Sequence, residues 1–148
     1  MSAYRHTQPG LVIIGALAAS IVLIVAVARS VGWHPVLLGV LAMLVIALAL
    51  FSSLTVEIRG SELAVSFGMG FPRFTYELSR IRGARVVRSP WFYGWGIHMT
   101  PDGWLYNVSG FFALELVFVD GKKVRIGTDE PDALYRALAP YVPHERRR

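Results

Sequence analysis

Two uncharged apolar runs lie near the start of the chain: LVIIGALAASIVLIVAVA, Leu11–Ala28, and VLLGVLAMLVIALALFSSL, Val36–Leu54. Each has roughly 18–19 residues, enough helix to cross a hydrocarbon core of about 30 Å. Only RSVGWHP separates them. The pattern therefore predicts a transmembrane helical hairpin over residues 11–54, with helices at about 11–31 and 36–54. Residues 1–10 read as a short polar tail. A cleavable secretory signal does not fit, because only about five apolar residues precede Ala16-Leu17-Ala18 and such signals need about 7–15. Gly15 with Ala19, and Ala16 with Ser20, place small residues four apart, which favours close helix approach, within the hairpin or in an oligomer.

After Leu54 the period changes to two, the signature of strands. Val56 and Ile58 alternate with Glu57 and Arg59. After the turn Gly60-Ser61, Leu63, Val65 and Phe67 alternate with Ala64 and Ser66. GMGFP interrupts the pattern. Phe74, Tyr76 and Leu78 then define a third strand that extends through SRIRGARVVR, with Ile81 and Val86 expected inside. SPWFYGWG, residues 89–96, is an aromatic loop. Further strands are predicted over 97–100, 104–108, 113–119 and 122–126, with Asp120-Gly121 as a tight hairpin turn. Thr128 or Asp129 is placed to cap a closing helix with Pro131 in its first turn. Leu134, Ala137, Leu138 and Tyr141 would form its apolar face.

The segments TVEIRGSELAVSFG, FTYELSRIRGARVV and LELVFVDGKKVRIGTDEPDALYRAL together resemble the pleckstrin-homology (PH) superfold, and most of all the bacterial PH-like domains that follow transmembrane hairpins. The resemblance covers nearly all of residues 55–141. It implies a membrane-anchored α+β protein. A seven-stranded antiparallel β-barrel or sandwich over 55–142 would be closed by the C-terminal helix and followed by a basic tail at 143–148. It carries no catalytic signature. The first strand-strand loop is Arg59-Gly60-Ser61, without the basic cluster that grips inositol phosphates in eukaryotic PH domains.

Of the 148 residues, about 55 belong to the hairpin and its flanks, which leaves a little over 90 for one small domain. There is no cysteine, so disulfides and thiol chemistry are excluded. The net charge is +5, but basic residues alternate with acidic ones through the soluble part, so no nucleic-acid face is expected. Anionic headgroups, which attract juxtamembrane basic residues by about 1 kcal/mol each, are the simpler counterpart. Arg5, Arg59 and Arg73 flank the open side of the hairpin, and Arg29 alone lies in its connection. That bias, with an Arg-rich and Lys-poor composition, points to a bacterial inner membrane with both termini and the domain cytoplasmic.

The chemistry-bearing stretch is Arg85 to His98. Arg85, Arg88, Trp91, Phe92, Tyr93 and Trp95 are the expected contact residues, for a protein partner or for lipid headgroups. The structural alternative is a loop folded over one open end of the barrel core. His98 alternates with Ile97 and Met99 and reads as a surface residue. No metal-ligand spacing occurs among the histidines. Asn107-Val108-Ser109 reads as a strand end and turn. Asp129, Glu130 and Asp132 read as helix-start acids. No cofactor, metal, catalytic residue or small-molecule substrate is expected. The reading is a non-enzymatic binding or scaffold module on the bilayer, working through other membrane proteins or self-association. A sensor of anionic lipid surface and an accessory subunit of a membrane enzyme complex are the alternatives.

Overall fold

A computed structural model describes residues 2–143. The basic tail from residue 144 onward lies outside the described residues. Three α-helices and two sheets make an α+β fold. The first sheet has the order β1-β2-β3-β4, from strands β1 (Ser2–Pro9), β2 (Ser53–Arg59), β3 (Glu62–Phe67) and β4 (Arg73–Glu77). The second has the order β5-β8-β9-β7-β6, from β5 (Ile81–Arg88), β6 (Gly96–Thr100), β7 (Gly103–Asn107), β8 (Phe112–Phe118) and β9 (Lys123–Gly127).

Nine strands among the described residues replace the expected seven, and they form two sheets rather than a closed barrel. One addition is β1. The expected polar tail is a strand paired along its length with β2. Tyr4, His6 and Gln8 are its more buried positions, while Ala3, Arg5, Thr7 and Pro9 face water. The inward groups are polar, so hydropathy gave no signal. Each is satisfied instead by hydrogen bonding: the Tyr4 hydroxyl donates to Glu130 Oε1 at 2.7 Å, His6 Nε2 meets Asp129 Oδ1 at 2.6 Å, and Gln8 Nε2 donates to the Gly127 carbonyl at 2.9 Å. The other addition is β5, which a short 3₁₀ turn at Leu78–Arg80 separates from β4 and sends into the other sheet. Ile81 is buried as expected, but Val86 is exposed. The sheet is also not wholly antiparallel, because β9 lies between β8 and β7 and runs parallel to β7. The turn between β8 and β9 is closed by the Phe118 N–H on the Lys122 carbonyl, a three-residue loop with Gly121 at positive φ rather than the two-residue turn expected.

One core joins both sheets: Leu54, Val56, Ile58, Leu63, Val65 and Phe67 meet Leu114, Leu116, Val124 and Ile126. Helix α3 (Pro131–Leu138) adds Leu134 and Leu138 and packs against β5, β8 and β1, so it closes one side. Its N-cap is Glu130, without a side-chain cap, and Thr128 Oγ1 accepts from the Glu130 N–H at 3.1 Å. Tyr141 falls beyond the helix and is exposed.

The apolar helices α1 (Leu11–Val31) and α2 (Pro35–Phe51) sit between β1 and β2 in the chain. They are therefore an insertion into the turn of a β-hairpin. Helix α1 is long and apolar enough to cross a membrane, and α2 is a shorter apolar helix. Ser20 and Ser30 return their hydroxyls to the carbonyls of Ala16 and Ala26, both at 2.8 Å, which satisfies these polar groups within the helix. The buried helix position is Ala28, near the connection, whereas Gly15, Ala16 and Ala19 are exposed and do not line the hairpin contact. His34 caps α2 by accepting the Val36 N–H on Nδ1 at 3.2 Å.

Candidate interaction site

The second sheet carries a row of charges across neighbouring strands. The register sets Arg85 of β5 beside Glu115 of β8, and Glu115 beside Arg125 of β9. Glu115 is fully buried, with Arg85 Nε donating to Oε1 at 2.7 Å and Arg125 Nε to Oε2 at 2.9 Å. Arg125 reaches on to Asp102, in the β6–β7 turn, at 3.1 Å. The Tyr93 hydroxyl donates to the same Asp102 oxygen at 2.8 Å, and the Arg125 guanidinium lies 5.8 Å from the Tyr93 ring centroid. The signs alternate along the row, so each buried charge has an opposite neighbour, without which burial would be strongly unfavourable. The hydrogen bond to Asp102 raises the Tyr93 pKa above the ordinary phenol value, with some loss of hydration adding to it.

A second group lies at the base of the aromatic loop. The Arg88 guanidinium stands 5.8 Å from the Phe111 ring centroid, and the Trp95 ring is 5.9 Å from the same ring. Trp95 Nε1 donates to the Gly110 carbonyl at 3.1 Å, and the Ser89 N–H donates to the Phe111 carbonyl at 2.7 Å. Asn107 supports this loop, donating to the Gly110 carbonyl and accepting the Ser109 N–H, which is the strand end and turn expected there.

The six expected contact residues thus divide. Arg85 and Tyr93 belong to the ionic row, and Arg88 and Trp95 to the Phe111 group. Trp91 and Phe92 remain outward, 74% and 68% exposed, in a 3₁₀ turn over Trp91–Tyr93. Their rings touch edge to face at 6.0 Å, and Phe92 meets Tyr93 in the same way at 5.3 Å. The loop is therefore held on both flanks and open at its crest. Sequence reading missed Glu115, Arg125 and Asp102. The available signal was an acid and a base inside the apolar strands FALELVF and KVRIG, symmetric about the turn that joins them.

On another side, the free edges of β4 and β6 border a cleft of about 980 Å³ walled by Phe74, Tyr76, Ile97, Met99, Trp104 and Tyr106. The Tyr76 and Tyr106 hydroxyls are hydrogen-bonded at 2.6 Å. Burial raises both pKa values. His98 does not line this cleft; its Nε2 bonds the Trp95 carbonyl. Among the described residues no group of three His, Asp or Glu is placed to hold a metal ion. No protein-family model matches the chain, and no curated protein matches it.

Proposed function

We propose that the protein is a membrane-tethered, non-catalytic binding module in which α1 and α2 form a spanning hairpin and the sandwich works at the cytoplasmic surface as a PH-like domain. The apolar length of α1, the uncharged α2 and the closing position of α3 support that reading. Its contact surface is the crest of the aromatic loop, Trp91 and Phe92, and its partner is another membrane protein or a second copy of the chain. One observation carries the choice of surface: both large rings stay exposed while Ser89 fixes the loop before them and Tyr93 and Trp95 fix it after them. Exposed Trp and Phe on a pre-ordered loop lose little conformational entropy on binding.

The test is photocrosslinking in native membranes, with benzoylphenylalanine replacing Trp91, Phe92 or, as a distant exposed control, Glu62. Discrete adducts at 91 and 92 and none at 62 are expected, with adduct mass separating self-association from a foreign subunit. Identical blank lanes at all three positions would remove the proposed surface.

The lipid reading has a specific observation in its favour as well. Arg88, Trp95 and Phe111 gather at the end of the sandwich where the helices join, whereas Arg85 is occupied by Glu115.

A further inference from the structure

The register fixes which loops surround the helix pair. Pro9 pairs with Ser53 at the helix end of β1 and β2, and Leu54 pairs with Phe67, so the loop after β3 lies at that end too. The Gly68 N–H donates to the Ser53 carbonyl at 2.9 Å, and the Phe51 and Phe67 rings lie 5.4 Å apart. A Cβ on Gly68 would fall 2.4 Å from the Ala49 carbonyl oxygen, so this loop presses directly on the last turn of α2. The second sheet meets the same place. A Cβ on Gly10 would fall 3.0 Å from Val108 Cβ, just beyond the end of β7. Since β8 is antiparallel to β9, and β9 parallel to β7, Phe112 and its partner Arg88 share that end.

Two loops on either side of the helix pair therefore carry apolar side chains into solvent. Met69 and Phe71, after β3, are 89% and 70% exposed. Phe111, just before β8, and Phe112, its first residue, are also exposed. Arg73 follows the first loop, and Arg88 stands over the second. Large apolar groups at loop tips with arginines beside them match the boundary of a bilayer, where rings sit at headgroup depth and guanidinium groups meet phosphate. A water-facing role would leave Met69, Phe71 and Phe112, each more than half exposed, at one end without compensation.

We infer that this end of the sandwich rests on the bilayer itself, with Met69, Phe71, Phe111 and Phe112 inserted at the headgroup–acyl boundary and Arg73 and Arg88 on lipid phosphates. The occupant of the surface is lipid, because the surface is continuous with the ends of two apolar helices. The inference rests on the proposed insertion of α1 and α2, and it fixes the height and tilt of the domain. Trp91 and Phe92 are then left for the protein partner.

The chain has no cysteine, so single cysteines can be labelled in the full protein. Leu23→Cys, Met69→Cys, Phe71→Cys and Lys122→Cys variants carry an environment-sensitive fluorophore in phosphatidylcholine vesicles that contain nitroxide-bearing lipid. Lys122 lies at the opposite end of the sandwich, beside the β8–β9 turn. Quenching several times stronger at 69 and 71 than at 122 is expected, for labels about 5–10 Å into the boundary, together with strong quenching at 23. Quenching at 23 with 69 and 71 no different from 122 would overturn the bilayer contact while leaving the hairpin inserted. No quenching at 23 would overturn both. Adding phosphatidylglycerol should increase quenching at 71, and Arg73→Glu should reverse the increase; indifference to both changes would remove the arginine contacts.

Discussion

The Gly10 N–H donates to the Ser52 carbonyl at 2.8 Å, although two whole helices separate these residues in the chain. The bond closes the β1–β2 hairpin beneath the helices. The helix pair thus leaves and re-enters the sandwich at one point, and the domain includes residues on both sides of it.

A direct consequence concerns the boundaries of the folding unit. A fragment beginning at Thr55 lacks β1 and exposes the β2 edge, together with the groups on Gly127, Asp129 and Glu130 that β1 engages. Exposed strand edges invite aggregation. Because Pro9 and Ser53 are paired, replacing residues 10–52 by Asn-Gly supplies a two-residue hairpin turn that joins them directly. The linked chain is expected to be soluble without detergent, with a cooperative thermal transition. The fragment from Thr55 is expected to aggregate or to melt without cooperativity. Gel filtration and circular dichroism distinguish the two.

The joint itself depends on Gly68. Its φ is +49°, and an added Cβ would meet the backbone carbonyls of Ala49 and Leu50 at 2.4 and 2.5 Å. Backbone atoms cannot rotate away as a flexible side chain would. Gly68→Ala is therefore expected to destabilise the full protein by more than about 1 kcal/mol. Gly83→Ala, where a Cβ would have open space, is expected to stay within about 0.5 kcal/mol of the parent. Thermal melts in detergent make the comparison.

Much of the core was legible in the sequence. The alternation of Val56 with Ile58, and of Leu63, Val65 and Phe67, places those side chains inside, as do Val124, Ile126, Leu134 and Leu138. That signal comes from apolar groups leaving water at a fixed period. Tyr4, His6 and Gln8 follow the same period, but their stability comes from hydrogen bonds to residues more than a hundred positions away, which no local pattern encodes. Val86 is apolar and follows the strand period, yet β5 is an edge strand and leaves it exposed. The aromatic loop was visible as composition. Its division into a pinned Tyr93, a buttressing Trp95 and an open Trp91–Phe92 crest depends on Asp102 and Gly110, which reach it only through the sheet register.

The ionic row gives a sharp stability test. Glu115→Ala leaves Arg125, whose side chain is 8% exposed, beside the gap of a lost carboxylate. Removing one member of a buried charge pair costs about 3–5 kcal/mol, and the Asp102 partner that Arg125 keeps holds the expected loss to the lower end of that range. A urea-unfolding midpoint that drops accordingly is expected. Tyr93→Phe removes only the tether from the loop to Asp102. There the midpoint should hardly move, while chymotrypsin cleavage within residues 90–95 should rise severalfold.

Alkaline pH should weaken the fold in a defined window. Burial raises the pKa of Tyr4, Tyr76 and Tyr106 above the ordinary phenol value, and the hydrogen bond to Glu130 adds to the effect on Tyr4. The folded state thus prefers the neutral phenols. Their stabilisation is complete below the ordinary tyrosine pKa of about 10 and falls as pH rises above it. Each contributes at most about 1.4 kcal/mol per pH unit, reduced by solvent screening because these rings are only partly buried. Unfolding midpoints should be level between about pH 7 and 9 and decline above about 10. Tyr76→Phe should cost about 1 kcal/mol at neutral pH through its hydrogen bond and should decline less steeply in alkali.

The most direct measurement is extraction of isolated membranes with alkaline carbonate, applied to the full chain and to the chain in which Asn-Gly replaces residues 10–52. Retention of the full chain in the membrane pellet, with the shortened chain in the soluble fraction, is the expected result. Release of the full chain into the supernatant would contradict an inserted helix pair, and with it a sandwich held at the bilayer.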